Sequence, residues 1–556
     1  MPSTEFEPLV LECAVLCGAV RWIGLRWWHG GWDVDRMSGN GIQARARDRE
    51  TEIMMGGKTA VLSAIMTLSW LGMVPAEAGD WPQFRGPNCS GISSSKAAMP
   101  VEFSPKSNLL WSAKIGDGVG CPIVAGGRVF VSALGDPGHV ALHAYSAKSG
   151  RFLWGKQWDM GDATRVHKTN SLAATTPASD GKRVYFYHAY VGMVALDARD
   201  GEIKWHREIP VPYYVFDWGP AMSPVLHKGK VLFVQDDDLH PAFYALDART
   251  GKLLWKDDRS DQAVNYSHPI IARGSQGDEI VVAGTGMLIG YDPDTGKRLW
   301  HARTLLRNIK TTPVTVGGTV YVSLQSGGIA NQWLASADAK GPEVGRGGNG
   351  DGKLSKAEMQ AMVGKRKIPE AFFKRTFDKG DLNKDGVLEG IELDKAFLSE
   401  ENFAGAKFDT PSDKAGDQSI HAVRAGGRGD VTETHVVWKH SPKQIDHIVS
   451  PLVVDGRMLL VNGGGIATGF EISSGEKLWG PRRINNTCEY FASPITADGK
   501  IYIAGENGYM VVLKSSGTFE ILAKNNMGEA IVGTPAIADG RLVIRTRGHL
   551  YCVGLK

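Results

Sequence analysis

The sequence is poor in cysteine: its 556 residues include only six, and none of them forms a C-x-x-C or C-x-x-C-H pattern. That spacing argues against zinc ribbons and covalently attached haem. An excess of one charge is also missing, because 63 Lys and Arg are balanced by 60 Asp and Glu, which leaves a formal net charge of +3. The chain therefore has neither a polybasic surface for nucleic acid nor an acidic repulsive tail.

Long apolar runs are scarce as well. The run at 59–74 has about the length of the apolar part of a signal peptide and is short for a membrane-spanning helix. Lys58 precedes it, and Ala76-Glu77-Ala78 follows as a cleavage-site pattern. We interpret 54–78 as a signal peptide, with a mature chain that starts near Gly79 and is exported to the periplasm or the extracellular space.

The position of this run is unusual, because a secretion signal should start at the first residue. We interpret 1–53 as a mis-assigned or extra N-terminal segment, with translation beginning at Met54 or Met55. The alternative is a cytoplasmic tail followed by an uncleaved anchor at 59–74. No cysteine directly follows the run, so a lipoprotein anchor is not expected.

Glycine and tryptophan are abundant, with 69 and 16 residues, and both follow an internal repeat. Five stretches each combine an apolar strand, a polar turn ending in Gly and a strand ending in Trp: 141–154, 193–205, 243–255, 288–300 and 467–479. The Gly stands where a hairpin needs a positive φ. The Trp residues recur at intervals of 40–50 residues, which is the period of four-stranded propeller blades.

A second hairpin signal lies before each Trp hairpin and is often preceded by Ser-Pro or Thr-Pro. We count eight units and predict an all-β, eight-bladed β-propeller, with seven blades as the alternative. The last unit lacks a Trp strand, whereas Asn108–Ile115 carries one at Trp111. We therefore expect this N-terminal strand to complete the final blade and close the ring, with each Trp wedged between neighbouring blades.

The motif Ala245–Trp255 resembles the tryptophan-docking repeat of pyrroloquinoline-quinone (PQQ)-type propellers. Quinoprotein alcohol dehydrogenases share this repeat with the propeller lipoprotein of outer-membrane β-barrel assembly. The opening Asp80–Pro87 is similar to the start of secreted propellers of this group that lack known activity. The resemblance covers about residues 80–556 apart from an insert, and it implies the fold more strongly than any activity.

The Trp spacing predicts an insert between Trp300 and Trp438. These two residues are 138 positions apart, which is about 90 more than one blade period. We assign 79–329 and 418–556 to the propeller and 330–417 to a charged, helical insertion. Within it, residues 381–392 match D-x-[DN]-x-[DN]-G-x5-E, the EF-hand loop. This loop predicts a Ca²⁺ site whose ligands are Asp381, Asn383, Asp385, Val387 through its carbonyl, and Glu392, with Glu389 acting directly or through water.

A second, earlier loop at 347–358 matches the same motif from position 3 onward. Its candidate ligands are Asn349, Asp351, Lys353 and Glu358, but Gly347 occupies position 1, so one carboxylate is missing. We therefore expect either an independent Ca²⁺ site or a purely structural partner of the other loop. EF-hands pair through the residues at position 8, which are Leu354 and Leu388. The entering helix of the later loop should bear Phe373 and Phe377 on one face.

Two functions compete. The first is a non-catalytic binding or scaffold protein, monomeric, with an unidentified protein, peptide or carbohydrate partner on a propeller face. The second is a PQQ-dependent oxidoreductase of the alcohol dehydrogenase type. The dehydrogenases that the chain resembles typically carry adjacent cysteines over the quinone. This chain has no such pair, so PQQ is not the favoured cofactor and no catalytic residue is assigned.

Several other polar groups have an ordinary structural role as the alternative to a functional one. His167 and Asn170 precede a first strand and would lie near a channel mouth; a ligand role is open to them, but loop solvation is the favoured interpretation. Metal binding by 236–238 with His240 is less expected than a charged loop at a blade edge. The segment 292–296 is interpreted as a hairpin turn. Arg424, Arg428 and possible disulfides among the four cysteines after residue 79 are left open.

Overall fold

The computed structural model describes residues 26–28, 31–33 and 79–556, except for 164–165, 215–217, 238–239, 260–261, 263–264, 285, 304–309, 326–337, 339–347, 363–367, 369, 376, 391, 394–395, 397–417 and 441–447. The chain divides into two compact units, 1–73 and 74–556. In the first, Arg26–Trp28 and Gly31–Asp33 form an antiparallel hairpin, although the sequence there has no strand period. The expected signal peptide lies outside the described residues.

The second unit contains eight blades of four antiparallel strands each, one of them with an added fifth strand, which confirms the predicted eight-bladed propeller. The strands of blades 1 to 4 are Ile123–Ala125, Arg128–Leu134, His139–Ser146 and Phe152–Asp159; Ala178–Ser179, Arg183–His188, Gly192–Asp197 and Ile203–Arg207; Val225–His227, Lys230–Gln235, Ala242–Asp247 and Leu253–Asp258; and Ile270–Gly274, Gly277–Gly284, Met287–Tyr291 and Arg298–Arg303. Gly429–Asp430 adds a parallel fifth strand to blade 4.

Blades 5 to 8 continue the same order. Their strands are Val314–Val316, Thr319–Gln325, Gln418–Arg424 and Val436–His440; Leu452–Val454, Arg457–Val461, Ile466–Glu471 and Lys477–Arg483; Ile495–Ala497, Lys500–Ala504, Tyr509–Lys514 and Ile521–Asn526; and Ala536–Ala538, Arg541–Arg545, His549–Gly554 and Leu109–Lys114. The fourth strand of blade 8 is therefore the N-terminal Leu109–Lys114, paired with His549–Gly554. This pairing closes the ring as expected.

Tryptophans dock five of the eight blades onto the next one. In five cases the indole N–H donates to a backbone carbonyl in the turn of the following blade: Trp111 to Ala147, Trp154 to Ala198, Trp205 to Ala248, Trp255 to Pro293 and Trp438 to Ile472. The turn glycine lies flat against the indole. A Cβ on Gly251, for example, would lie 2.7 Å from the Trp205 ring. The glycine thus serves a close approach as well as a positive φ.

Trp300 is an exception, because it donates to Glu279 of its own blade at 2.7 Å. Glu279 also accepts from the Gly426 N–H at 2.9 Å and from the Arg428 guanidinium at 3.3 Å. Arg428 therefore helps to hold the turn of blade 5 against blade 4. Arg424, in contrast, is an exposed residue of a strand.

The insert leaves the propeller at a single hairpin, since the second and third strands of blade 5 pair over their whole length from Thr319↔Arg424 to Gln325↔Gln418. It contains the helices Lys356–Met362 (α1), Glu370–Arg375 (α2) and Phe377–Gly380 (α3). Two short strands, Leu354–Ser355 and Val387–Leu388, pair antiparallel, with Leu354 opposite Leu388.

The expected aromatic pair is in contact, but Phe373 lies on α2 and Phe377 on α3 rather than on a single helix. Phe373 and Phe377 are both buried and contact each other edge to face. Two further short helices lie in the second unit, a 3₁₀ turn at Pro87–Cys89 and Thr432–His435 (α4). Within the described residues, no helix is both long and apolar enough to cross a membrane.

Candidate functional site

Eight X-Pro dipeptides surround the central axis, one before the first strand of each blade. The residues before proline are Cys121, Thr176, Ser223, His268, Thr312, Ser450, Ser493 and Thr534. Seven hydrogen bonds among the described residues link neighbouring members of this ring, each from the backbone N–H of one residue to the side chain of the next. They run from Cys121 to Thr176, Thr176 to Ser223, His268 to Thr312, Thr312 to Ser450, Ser450 to Ser493, Ser493 to Thr534 and Thr534 back to Cys121. The N–H groups that precede the inner strands are thereby satisfied.

Two members of this ring depart from the Ser/Thr pattern. Cys121 accepts from the Thr534 N–H through its sulfur at 3.1 Å, and His268 contacts the Thr312 hydroxyl through Nδ1 at 3.2 Å. The six Ser-Pro and Thr-Pro pairs were visible in the repeat, whereas Cys121-Pro122 and His268-Pro269 were missed. All eight ring residues precede a proline at the repeat spacing, so the proline, and not a Ser or Thr hydroxyl, is the sequence feature that identifies them.

A cavity of about 640 Å³ opens over this ring. All eight connections from an outer strand to the next inner strand contribute to its wall: Val119, 167–170, Trp218, Tyr266, Lys310, Ile448, Glu489 and Val532. Most of the remaining wall is formed by the ring residues, and Phe84 also lines the cavity. Such a cavity lies within the usual size range of small-molecule sites.

The segment 81–92 lies across the inner strands and plugs the channel. Backbone bonds join Trp81 to Val124 of blade 1 at 2.7 and 2.9 Å. Its other bonds reach the start of five further blades: Pro82 to Ser179, Gln83 to Leu226, Asn88 to Ile271, Arg85 to Pro451 and Gly91 to Thr496. The cavity is therefore a one-ended pocket with Phe84 in its wall.

Two buried groups, His268 and Arg85, connect this plug to the ring. The His268 ring stacks on Phe84 with centroids 4.3 Å apart, and its Nε2 is buried without a hydrogen-bond partner. Burial, with a smaller effect of the Arg85 charge, lowers the pKa of His268 to about 3, so its imidazole is neutral near pH 7. The Arg85 guanidinium donates to the Pro451 carbonyl, and burial lowers its pKa to about 10.

The mouth of the pocket carries cationic and aromatic side chains. The Lys310 ammonium lies 4.4 Å from the centre of the Trp218 ring, a cation–π contact. Asn170 donates to the Trp218 carbonyl at 2.6 Å, and exposed His167 contacts the Thr169 hydroxyl at 2.8 Å. The structure thus places both residues of the predicted channel mouth in the cavity wall.

The acidic run at 236–238 has a structural role instead. Asp236 forms a bidentate pair with Arg259, both contacts being 2.7 Å, and both side chains are fully buried. Asp237 accepts from the N–H groups of Tyr213 and His240. Asp238 lies outside the described residues. The segment 292–296 is a hairpin turn, because Asp292 accepts from two N–H groups and a hydroxyl of Asp294 and Thr295.

The four cysteines in the second unit are free thiols. Burial raises the pKa of Cys89 to about 12 and that of Cys121 above its ordinary value. These thiols are therefore protonated and unreactive at neutral pH. Among the described residues of the cavity wall, Cys121 is the single cysteine.

A second candidate site is the loop 381–392 of the insert. Asp381 accepts from the Gly386 N–H at 3.1 Å through Oδ2, while its Oδ1 is buried without a partner. Glu392 accepts from the N–H groups of Leu382 and Asn383 through one oxygen and from that of Glu389 through the other. Val387 donates its N–H to Asp385. Asp381 and Glu392 thus both fold back onto the backbone of their own loop.

This donor set is chemically suited to a hard cation, since carboxylate, amide and carbonyl oxygens are what Ca²⁺ prefers. The orphaned Asp381 Oδ1 is the atom that such an ion would satisfy. Across the described residues, no group of three or more His, Cys, Asp or Glu side chains is gathered closely enough to hold a metal. The fit therefore rests on the mixed oxygen set and not on a preformed carboxylate cluster. Glu389 is paired with Lys353 at 2.8 Å.

Comparison with known proteins gives one family. A family model described as outer membrane protein assembly factor BamB, of the PQQ type, matches residues 104–215, 177–344 and 409–556. These matches leave out part of the insert and cover more than half of the chain.

Curated relatives include both kinds of protein. The assembly factor BamB of Yersinia pestis is 28% identical over 253 residues, which is 41% of this chain and 58% of the relative. A 1-butanol dehydrogenase (quinone) of Thauera butanivorans is 30% identical over 134 residues, 21% of this chain and 20% of the relative. The matched region thus spans less than two thirds of either relative. The crystal structure of BamB from Moraxella catarrhalis aligns with a TM-score of 0.46 at 14% identity, over 81% of this chain and 97% of that one.

Proposed function

We propose, from the premise that this chain belongs to the PQQ-type propeller family described as outer membrane protein assembly factor BamB, that it is an exported, non-catalytic binding protein. Its binding site is the one-ended pocket over the X-Pro ring, and its insert binds Ca²⁺. The observation that carries the first part is the plug, because segment 81–92 closes one end of the channel and puts Phe84 into the cavity wall.

The residues of the pocket support binding better than catalysis. Glu489 is the one carboxylate among the described wall residues. His268 is buried and uncharged, and Cys121 is a buried thiol with a raised pKa. Acid–base or metal-assisted catalysis usually combines several groups of this kind at one point. The wall of this pocket instead combines aromatic rings with cations.

The charge of the wall indicates the chemistry of the partner. Among the described wall residues, Lys168 and Lys310 stand against the single carboxylate of Glu489, and the Arg85 charge lies behind the ring near His268 and Cys121. An anionic group is therefore favoured in the pocket. We infer that the partner is a peptide segment of another protein that presents an acidic side chain, with its apolar part against Trp218 and Tyr266.

Fluorescence anisotropy tests this proposal with two labelled nonapeptides, one carrying four Glu and the other carrying Gln at those positions. We expect the Glu peptide to bind more tightly, and the double variant Lys168→Ala/Lys310→Ala to weaken its binding roughly tenfold, at ~0.5–1 kcal/mol per charge. Lys148→Ala, at an exposed turn outside the cavity wall, is the matched control and should bind as the native protein does. Equal affinity for both peptides would refute the charge argument.

The competing function is a PQQ-dependent dehydrogenase, favoured by the identity to 1-butanol dehydrogenase (quinone). The cationic wall suits an anionic quinone. The pocket lacks the adjacent cysteines typical of those enzymes, and in the described wall it offers one carboxylate. Incubation with PQQ and Ca²⁺, followed by absorbance and dye-linked oxidation of 1-butanol, separates the two functions. A bound chromophore with alcohol oxidation would reverse the proposal.

For the insert, we propose that the Ca²⁺ ligands of the loop 381–392 are Asp381, Asn383, Asp385, the carbonyl of Val387, and Glu392. Bound Ca²⁺ would supply the positive charge that this loop of oxygen donors lacks, and would order the insert. Calorimetric titration of the whole protein with CaCl₂ should show heat that the Glu392→Gln variant loses at this loop. Absence of heat in the native protein would contradict it.

A further inference from the structure

We propose that Asp338 supplies the carboxylate missing from the loop 347–358, so that this loop is a second Ca²⁺ site built from two separate pieces of chain. The inference rests on the proposed calcium function of the insert and extends it to a residue outside the contiguous motif. Asp338 lies nine residues before Gly347, the first position of the motif. A contiguous sequence motif therefore does not include it.

The two loops have the same internal hydrogen bonds. At position 5, Asp351 and Asp385 donate their N–H groups to the Asn at position 3, at 2.8 and 2.9 Å. At position 7, Lys353 and Val387 donate to the Asp at position 5, at 2.8 and 2.9 Å. The loops therefore share one conformation despite their different sequences.

The correspondence continues at position 12. Glu358 accepts from the N–H of Asn349 at position 3 and from that of Ser355 at position 9. Glu392 makes the two equivalent contacts, with Asn383 and Glu389. Each glutamate thus lies folded against its own loop in the same way.

Asp338 occupies the remaining place. In the complete loop, the Gly386 N–H at position 6 donates to Oδ2 of Asp381 at position 1. In the incomplete loop, the Gly352 N–H at position 6 donates to Oδ2 of Asp338 at 2.8 Å. Asp338 also accepts from the N–H groups of Gly350 and Asp351, at 2.7 and 3.1 Å. A carboxylate from elsewhere in the chain thus does what the position-1 aspartate does.

Burial provides an argument that does not depend on loop shape. Asp338 and Glu358 are only 6% and 8% exposed, and Glu392 only 5%. Among the described residues none of the three has a Lys, Arg or His ion-pair partner. The two nearby lysines that form salt bridges are engaged elsewhere, Lys353 with Glu389 and Lys356 with Asp378. Buried anions without a counter-charge are costly, and a bound divalent cation removes that cost.

The pairing of the loops gives the second site a role. Leu354 and Leu388 are directly opposite each other in the short sheet between the loops, and both are fully buried. The Lys353–Glu389 ion pair joins the loops a second time. Ordering of one loop by Ca²⁺ will therefore favour the bound form of the other, and we expect positive cooperativity.

Calcium titration of the full-length protein tests the assignment. Native protein should bind two equivalents. Asp338→Asn should weaken the first site about a hundredfold, because one charged ligand is lost, and leave one equivalent measurable. Glu358→Gln should remove the same site, and Glu392→Gln the other. Asp378→Asn, an exposed acidic residue of the insert outside both loops, should retain two.

The outcomes distinguish this inference from the proposed calcium function. If the native protein binds no Ca²⁺, the calcium function itself is refuted. If it binds one equivalent that Glu392→Gln abolishes and Asp338→Asn leaves intact, only the role of Asp338 is refuted. If Asp338→Asn still binds two equivalents of Ca²⁺ with native affinity, the role of Asp338 is refuted as well. Far-UV circular dichroism identifies a variant that fails to fold, in which case Asp338→Ser decides, because it keeps an acceptor oxygen for the Gly352 N–H and removes the charge.

Discussion

The glycine in each docking turn should be intolerant of alanine because of the indole beside it, and blade 3 provides a matched pair of positions. Gly251 has a φ of +71°, and a Cβ added there would lie 2.7 Å from two atoms of the Trp205 ring. Gly229, in another turn of the same blade, has a φ of +75°, and no atom lies within 4 Å of an added Cβ. The two positions therefore share the backbone conformation and differ in the contact.

The expected magnitudes follow from these two facts. A left-handed conformation costs an L-residue about 1 kcal/mol, so Gly229→Ala should lose about that much stability. In Gly251→Ala the indole must also move. This would break the Trp205–Ala248 hydrogen bond of 3.0 Å, worth ~1 kcal/mol net, and would add a packing loss of ~1 kcal/mol. We therefore expect a total loss of about 3 kcal/mol for Gly251→Ala.

Urea unfolding of the native protein and both variants, followed by far-UV circular dichroism, measures the difference. Gly251→Ala should unfold at a lower urea concentration than Gly229→Ala. With a common slope m, the difference between their midpoints should correspond to about 2 kcal/mol in the free energy of unfolding. If the two variants lose equal stability, backbone strain alone explains the turn glycines. In that case the proposed docking of indole on glycine contributes nothing measurable.

Two further predictions concern buried charge. Asp236→Asn should destabilise the propeller by ~3–5 kcal/mol in the same urea assay, because it leaves Arg259 buried without its carboxylate; Glu520→Gln, which removes the exposed Lys514–Glu520 pair, should change stability by less than ~1 kcal/mol. Burial lowers the folded pKa of His188 to about 4 and those of His268 and His421 to about 3, below the unfolded value of ~6.5. The unfolded chain therefore binds protons first, and stability should fall as the pH drops below ~6.5, by up to ~1.4 kcal/mol per pH unit for each histidine. Urea midpoints measured from pH 7 to pH 5 check this, and a flat profile would contradict it.

The ring of blades could be predicted because its signals are local and repeated. In most blades a turn glycine, a terminal Trp and a small residue opposite the Trp lie within about 15 residues of one another. Gly290 and Gly469 show why the small residue is needed, since a Cβ there would lie 2.2 and 2.5 Å from the facing indoles. Closure by Leu109–Lys114 followed from the one strand missing at the C-terminal end.

The plug and the completed loop could not be predicted, because their partners are distant in sequence and follow no period. Arg85 reaches a carbonyl 366 residues away, and Asn88 pairs with a strand 183 residues away. The opening segment was recognised by resemblance alone, without a role. Asp338 was missed for a related reason, since a contiguous motif search assigns position 1 to Gly347 and tests nothing upstream of it.

The separation between the repeat and the pocket explains how one chain can be similar to both assembly factors and dehydrogenases. The docking tryptophans and their glycines lie in outer strands and in the turns that hold neighbouring blades together. The pocket wall is formed instead by the connections between blades and by the plug, for example Lys310, Trp218 and Phe84. Since the repeat constrains none of these residues, similarity in the repeat predicts the scaffold and leaves the chemistry of the pocket free to differ. Function in this chain must therefore be argued from the connections, where cations and aromatic rings stand against a single carboxylate in the described wall.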